Sequence, residues 1–263
     1  VLGDVVNAVA PQTPIELKSP REIDLLRKAG HVAAEILMDL KRSVAAGMTT
    51  QDVDALAARM MRERGVKPAF LHYRGYPAVV CASVNEEVVH AIPGPRRLKD
   101  GDILSLDIGI FLNDYCGDTA TTFAIGKASP EAERLMKAGR ESLEASIQAA
   151  VLGNRLGDVS HEMQRVVEEA GYHVVREYGG HGIGRAMHEE PHVPCFGTSG
   201  TGIRLTEGMA LALEVMANAG TARILHKPDQ WTVETEDGSL SVHYEKMVAI
   251  TDRGPEVLTP HEN

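Results

Sequence analysis

The chain has 263 residues, 43% hydrophobic and 24% charged, and 37 Asp and Glu against 27 Lys and Arg give it a formal charge of -10. A chain of this length buries most of the apolar surface of its unfolded state, and its scattered basic residues exclude nucleic acid as a direct ligand. Cys81, Cys116 and Cys195 lie far apart with no Cys-x-x-Cys pair, which excludes a disulfide framework and a thiolate zinc site and fits a reducing cytoplasm.

In chain order, residues 1–14 read as an N-terminal extension. It lacks the basic leading segment of a signal peptide. Its Pro-Gln-Thr-Pro stretch (11–14) reads as a disordered tail rather than a docking segment. No run approaches the ~18 to 20 apolar residues of a membrane span. Residues 15–263 read as one domain containing an internal repeat, with halves of about 19–128 and 129–252. "SPREIDLLRKAG" (19–30) returns as "SPEAERLMKAG" (129–139). Ser19 and Ser129 have the form of N-caps with proline at the first helical position, and Glu22 completes a capping box. Ile23, Leu26, Ala33, Leu37, Leu40 and Val44 follow at helical spacing. A second helix is expected in each half, over 50–65 and 156–171, each ending at glycine.

The strands carry the chemistry. "LKDGDILSLDIG" (98–109) aligns with "LTEGMALALEVM" (205–216), placing Asp107 opposite Glu214 in the repeat. Upstream of each lies a His-x-x-Pro, beginning at His90 and His188. Downstream lies an acid before an apolar run, Asp118 and Glu245. Asn113-Asp114 forms a two-residue turn, so residue 109 faces 118 and 107 faces 120. Asp107 and Asp118 then share one face as diagonal neighbours, roughly 7 to 8 Å apart at the backbone. Buried carboxylates repel one another, and cations are the natural remedy. Four of them, from two equivalent hairpins facing one cleft, suit two divalent ions.

"HEEPH" (188–192) matches the His-Glu-x-x-His zinc motif in letters only, because Pro191 breaks the helix that the motif requires. The glycines of "YGGHGIGRAMHEEP" (178–191) instead suggest an extended segment entering the cleft. His181 lies in it without a counterpart in the repeat, which makes it the better ligand, and His188 is expected to face substrate. A nitrogen ligand biases the ions toward Mn, Co, Fe(II) or Zn.

With "SVNEEVVHAIP", "LDIG", "GDTA", "GGHGIG", "MHEEP", "ALEVM" and "HYEKMVAIT" in order, residues 15–252 resemble the type I methionine aminopeptidases. The resemblance implies an α+β pita-bread fold, with two pseudo-symmetric αα-β halves and an antiparallel sheet around a dinuclear metal cleft. It implies Asp107, Asp118, His181, Glu214 and Glu245 as ligands, with Asp118 and Glu245 bridging two ions. It also implies a water, activated between the ions, attacking the first peptide carbonyl. Glu214 then shuttles its proton, His188 donates to the oxyanion, and His90 holds the substrate amide. Phe70, Tyr73, Tyr76, Cys81, Met187 and Trp231 would form the methionine pocket. Phe70 and Met187 depart from the Cys and Phe often found there, Val215 replaces a frequent Pro, and Ala91 replaces a usual Gly.

A cytoplasmic monomer acting on methionine-bearing peptide and nascent-chain N-termini, with the ribosome as a partner, is the implied setting. The alternatives are an X-Pro aminopeptidase or dipeptidase of the same fold and a catalytically silent binding module. The first is disfavoured by the short segment before the first helix, the second by the presence of all five ligands. By strand parity His243 points opposite to the neighbours of Glu245, or else it is a supporting group behind the ligands, and no role is assigned to it or to His31, His72, His161, His173, His226 or His261.

Overall fold

Ser19 starts the first helix as its side chains require. Its hydroxyl accepts from the Glu22 N–H, and the Glu22 carboxylate accepts from the Ser19 N–H at 2.9 Å. The computed structural model that shows this describes residues 14–262, so most of the expected extension lies outside the described residues. Helix α1 (Pro20–Ser43) buries Ile23, Leu26, Ala33, Leu37 and Leu40. Val44 falls after the last turn, with extended backbone as the C-cap, and is only half-buried. Helix α2 (Thr50–Glu63) is capped by Thr49 with Asp52 and stops before Gly65, whose φ is 66°. Helices α3 (Pro130–Ala149) and α4 (Leu156–Glu169) repeat the arrangement, Ser129 accepting from the Ala132 N–H at 3.1 Å.

In the first half the strands are β1 (Lys67–Pro68), β2 (Val80–Val84), β3 (Glu87–Val89), β4 (Ile103–Leu112) and β5 (Tyr115–Ala124). The second half adds β6 (His173–Val174), β7 (Gly179–Gly182), β8 (Glu189–Pro194), β9 (Ala210–Asn218), β10 (Ile224–His226), β11 (Val233–Thr235), β12 (Ser241–Thr251) and β13 (Gly254–Val257). One antiparallel sheet runs β1-β4-β5-β12-β9-β7-β8, with β2 on β4, β6 on β9 and β13 on β12, and a small sheet runs β10-β11-β3. The two halves meet where β5 pairs with β12. One core packs α1 and α2 on the first half through Leu37, Leu40, Val53, Leu104 and Leu106. A second packs α3 and α4 on the other half through Leu135, Leu143, Val159, Leu213 and Val242. No helix among the described residues is long and apolar enough to cross a membrane.

The β4/β5 register is the expected one. Gly109 faces Asp118, Asp107 faces Ala120, and Asn113 and Asp114 both adopt left-handed backbone (φ 51° and 65°), as a mirror-image two-residue turn requires. The expectation of two equivalent hairpins needs correction. β9 and β12 pair over nine residues, but the chain between them detours through residues 219–240 and builds β10 and β11.

The match between the outer acids also changes. Asp107 faces Ala120, Glu214 faces Glu245, and Ala120 and Glu245 face each other across the junction. Matched on the sheet, Glu245 corresponds to Ala120, and Asp118 corresponds to His243. Residues two apart share a face of a strand, so an acid shifted by two positions still enters the cleft. Alignment by residue type hid that shift.

Candidate metal centre

The central strands bring the carboxylates to one face. Ligand atoms of Asp118 on β5, His181 on β7 and Glu245 on β12 all lie within 4.8 Å of one another, and all three residues are buried. Asp107 and Glu214 line the same cavity of about 280 Å³, as do His90, His188, Phe70, Tyr73, Tyr76, Cys81, Met187 and Trp231. All thirteen residues singled out in the sequence therefore converge. The three-residue cluster is the tightest part, and Asp107 and Glu214 flank it.

His181 reaches the cluster because β7 lies close between its neighbours. A Cβ at Gly180 would collide with the Ala212 carbonyl, and one at Gly182 with the Glu190 carbonyl, so glycine on both sides of His181 is a steric requirement. His181 faces Ala212, and the same place in the first half, 107 residues earlier on the facing strand, pairs Ser83 with Ser105. Serine thus occupies the position matching His181. The His181 Nδ1 lies 3.0 Å from the Gly182 carbonyl, and a proton there leaves Nε2 free toward the acids. The "HEEPH" segment is strand, not helix: Glu189–Pro194 form β8.

Buried Oδ1 atoms of Asp107 and Asp118 and Oε1 of Glu245 have no hydrogen-bond partner. Burial, together with the neighbouring carboxylates, pushes Asp107 and Glu245 well above the usual carboxylate range and Asp118 up to about 8. Oxygens left unsatisfied at this depth are costly. A cation that accepts their lone pairs resolves both the desolvation and the repulsion, so the donor set fits divalent metal. Glu214 differs from the other three. Burial opposes its ionisation, but the hydrogen bond from His243 Nε2 to its Oε2 at 2.9 Å, with the nearby imidazoles, holds it down to about 2.

His188 is not part of the cluster. Its Nδ1 lies 2.9 Å from the Tyr73 hydroxyl, and its ring packs 4.2 Å from the His181 ring and stacks on Tyr73. His90 sits edge-on to Tyr178 and Trp231, with its backbone in the left-handed region at φ 58°. Burial lowers the His90 imidazole to about 4, and partial desolvation in the cleft, with His181 beside it, does the same for His188, so both are neutral at pH 7. Trp231, in the detour between β9 and β12, meets Tyr76 edge-on at 5.1 Å, and Tyr76 meets Phe70 at 6.5 Å. These rings form an apolar wall beside the acids. The Tyr76 hydroxyl donates to the carbonyls of Val80 and Ala91, both at 3.0 Å.

Several residues at the site went unassigned in the sequence. His243, behind Glu214, is the main one; its signal was parity, since it lies two residues before Glu245 on one strand face. Tyr178, Glu177, Arg74 and His192 line the cavity itself. Met247 supports Asp118, whose N–H donates to its Sδ at 3.1 Å.

Residues 24–252 match the model of metallopeptidase family M24. A methionine aminopeptidase of Clostridium acetobutylicum is 48% identical over 246 residues, covering 93% of this chain and 98% of that protein. The crystal structure of a methionine aminopeptidase from Thermotoga maritima superposes with a TM-score of 0.92 at 42% identity, covering 94% of this chain and all of that one (100%). A prolidase of Pyrococcus furiosus shares the pita-bread fold at a TM-score of 0.78 but only 22% identity, with 94% of this chain matched to 66% of that one. On this likeness, the chain belongs to metallopeptidase family M24, among its methionine aminopeptidases.

Proposed function

We propose that the protein removes N-terminal methionine from peptides and nascent proteins whose second residue is small. The observation that carries this reading is a single cavity with two unlike walls. One is a set of buried carboxylates with unpaired oxygens, and the other is a set of aromatic and sulfur-bearing side chains suited to a thioether. Asp107, Asp118, His181, Glu214 and Glu245 would hold two divalent ions, drawn from Mn, Co, Fe(II) or Zn. Bound there, the ions supply a Lewis acid and lower the pKa of a water.

The chain's own groups do the rest. Phe70, Tyr73, Tyr76, Cys81, Met187 and Trp231 enclose the methionine side chain and orient its carbonyl over the acids. Glu214, kept ionised by His243, accepts a proton from the attacking water and returns it to the leaving amine. His188, neutral with Nδ1 turned to Tyr73, offers Nε2 to the developing oxyanion. His90 holds the neighbouring substrate amide. Residues 15–263 would act as one catalytic domain, as a cytoplasmic monomer meeting nascent chains at the ribosome.

Metal-stripped protein reloaded with Mn, Co or Fe(II) tests this with Met-Gly-X, Leu-Gly-X and X-Pro peptides. Methionine release from the first series alone is expected. Failure to release methionine with any metal overturns the reading, and faster X-Pro cleavage replaces it with a prolidase-type activity. Glu214→Gln should lose most turnover, whereas His90→Ala should lose much of it and still bind metal.

A further inference from the structure

Lys18 is buried, with its side chain 3% exposed, although it precedes α1 in a stretch whose neighbours Glu16 and Leu17 face solvent. Its ammonium donates to Glu189 Oε2 at 2.6 Å, and Glu189 is the residue that follows His188. The more exposed Glu16 carboxylate lies farther away, at 3.5 Å. The other Glu189 oxygen accepts from the Ala186 N–H at 3.1 Å.

The turn 184–189, which presents both Met187 and His188, is thus tied at two ends. Gly184 accepts from the Cys116 N–H at 2.9 Å where the turn begins, and Lys18 holds Glu189 where it ends. Lys18 is itself anchored. Its N–H donates to the Gly208 carbonyl at 2.7 Å, and the next residue, Ser19, caps α1. The packing leaves no slack, since a Cβ at Gly184 would meet both the Glu189 carboxylate and the Lys18 side chain.

The His188 ring, by contrast, lies at the open cleft, with the Tyr73 hydroxyl as its hydrogen-bond partner. Its backbone must therefore be placed from outside the ring. We propose that Lys18 is a positioning residue that sets His188 through Glu189, so that the start of α1 controls the donor facing the scissile carbonyl. The proposal rests on the role given to His188 above.

A double-mutant cycle on the full-length, Mn-loaded protein tests it, using Lys18→Met, His188→Ala and both together, with kcat and KM for a Met-Gly-X peptide and a thermal melt of each. Lys18→Met should lower kcat on the order of tenfold to a hundredfold, as displacement of a reacting group by about 1 Å does. In the His188→Ala background the same substitution should change kcat by less than about twofold, because the two act in series. An ion pair that only stabilises the fold would lower kcat equally in both backgrounds.

If Lys18→Met leaves a buried charge that prevents folding, the charge-neutral Lys18→Met/Glu189→Gln protein takes its place in the cycle. That variant keeps an acceptor for the Ala186 N–H. Equal losses in both backgrounds, or unchanged kcat in the Lys18 variant, overturn the proposal. No methionine release by the unsubstituted protein overturns the functional reading beneath it instead.

Discussion

The two halves of the molecule share a scaffold and differ in what stands on it. Each lays two helices against antiparallel strands, and each sends an acid from the same sheet position into the cleft, Asp107 from β4 and Glu214 from β9. The first half contributes Asp107 and Asp118, whose free oxygens find no partner in the protein. The second half surrounds one of its acids, Glu214, with imidazoles, His181 standing where the first half has Ser83 and His243 where it has Asp118. Its other acid, Glu245, keeps an unpartnered oxygen like those of the first half. Accordingly Asp118 holds its proton up to about 8, and Glu214 releases its own at about 2. The repeat supplies acids at fixed places. Departures from it supply imidazoles, a poised carboxylate, and the detour that brings Trp231 to the pocket.

The strongest way to break this comparison is to remove an acid from each half. Asp118→Asn and Glu245→Gln should each lower kcat/KM by about a thousandfold or more, since several kcal/mol of transition-state stabilisation go with the metal. Bound metal after dialysis should fall in parallel. Unchanged turnover in Asp118→Asn would place the first half outside the reaction.

A smaller effect should mark the second half alone. His243→Ala removes the hydrogen bond to Glu214 and should weaken metal binding about 10- to 100-fold. Titration of the metal-free protein with Mn(II) measures this, and wild-type affinity would deny His243 any supporting role.

The scaffold itself can be compared through its repeated Lys-Ala-Gly. A Cβ at Gly30 would strike the Leu258 carbonyl, whereas one at Gly139 would meet the Tyr244 ring. Gly30→Ala should cost about 1 to 3 kcal/mol and Gly139→Ala less, because a ring can shift where backbone cannot. Urea unfolding decides, and the reverse order would contradict the account.

The smallest effect is a pair of opposed pH dependences in the metal-free protein. Between the ordinary carboxylate range and about 8, the folded chain holds a proton on Asp118 that the unfolded chain has lost, so stability falls as pH rises. Glu214 acts in the other sense: its contribution is lost as pH falls from its ordinary 4.5 toward about 2. Melting curves across both windows, with and without Mn(II), should show the upper slope flatten when metal binds. An upper slope that metal leaves unchanged would detach it from these acids.

Much of this was legible because it is local. Ser-Pro starts, glycine stops, the Asn113-Asp114 turn and the alternation of β4 and β5 depend on neighbours a few residues away, and the register they implied is the register found. The motifs around His90, His181 and His188 likewise located the cleft. The role of His243 and the corrected match of Glu245 with Ala120 were not legible. The first requires the pairing of β12 with β9 across the detour, and the second the pairing of β5 with β12, strands more than a hundred residues apart; no local signal encodes either register.

The sequence by itself determined the elements, their caps, the order of acids and histidines, and the need for cations where carboxylates are buried together. Side-chain periodicity and desolvation act on any chain with this pattern. Only the tertiary structure decided which acids meet, which imidazole tunes Glu214, and that Lys18 reaches across to Glu189. Those depend on distances between segments that the chain alone leaves free and that packing of the two halves sets.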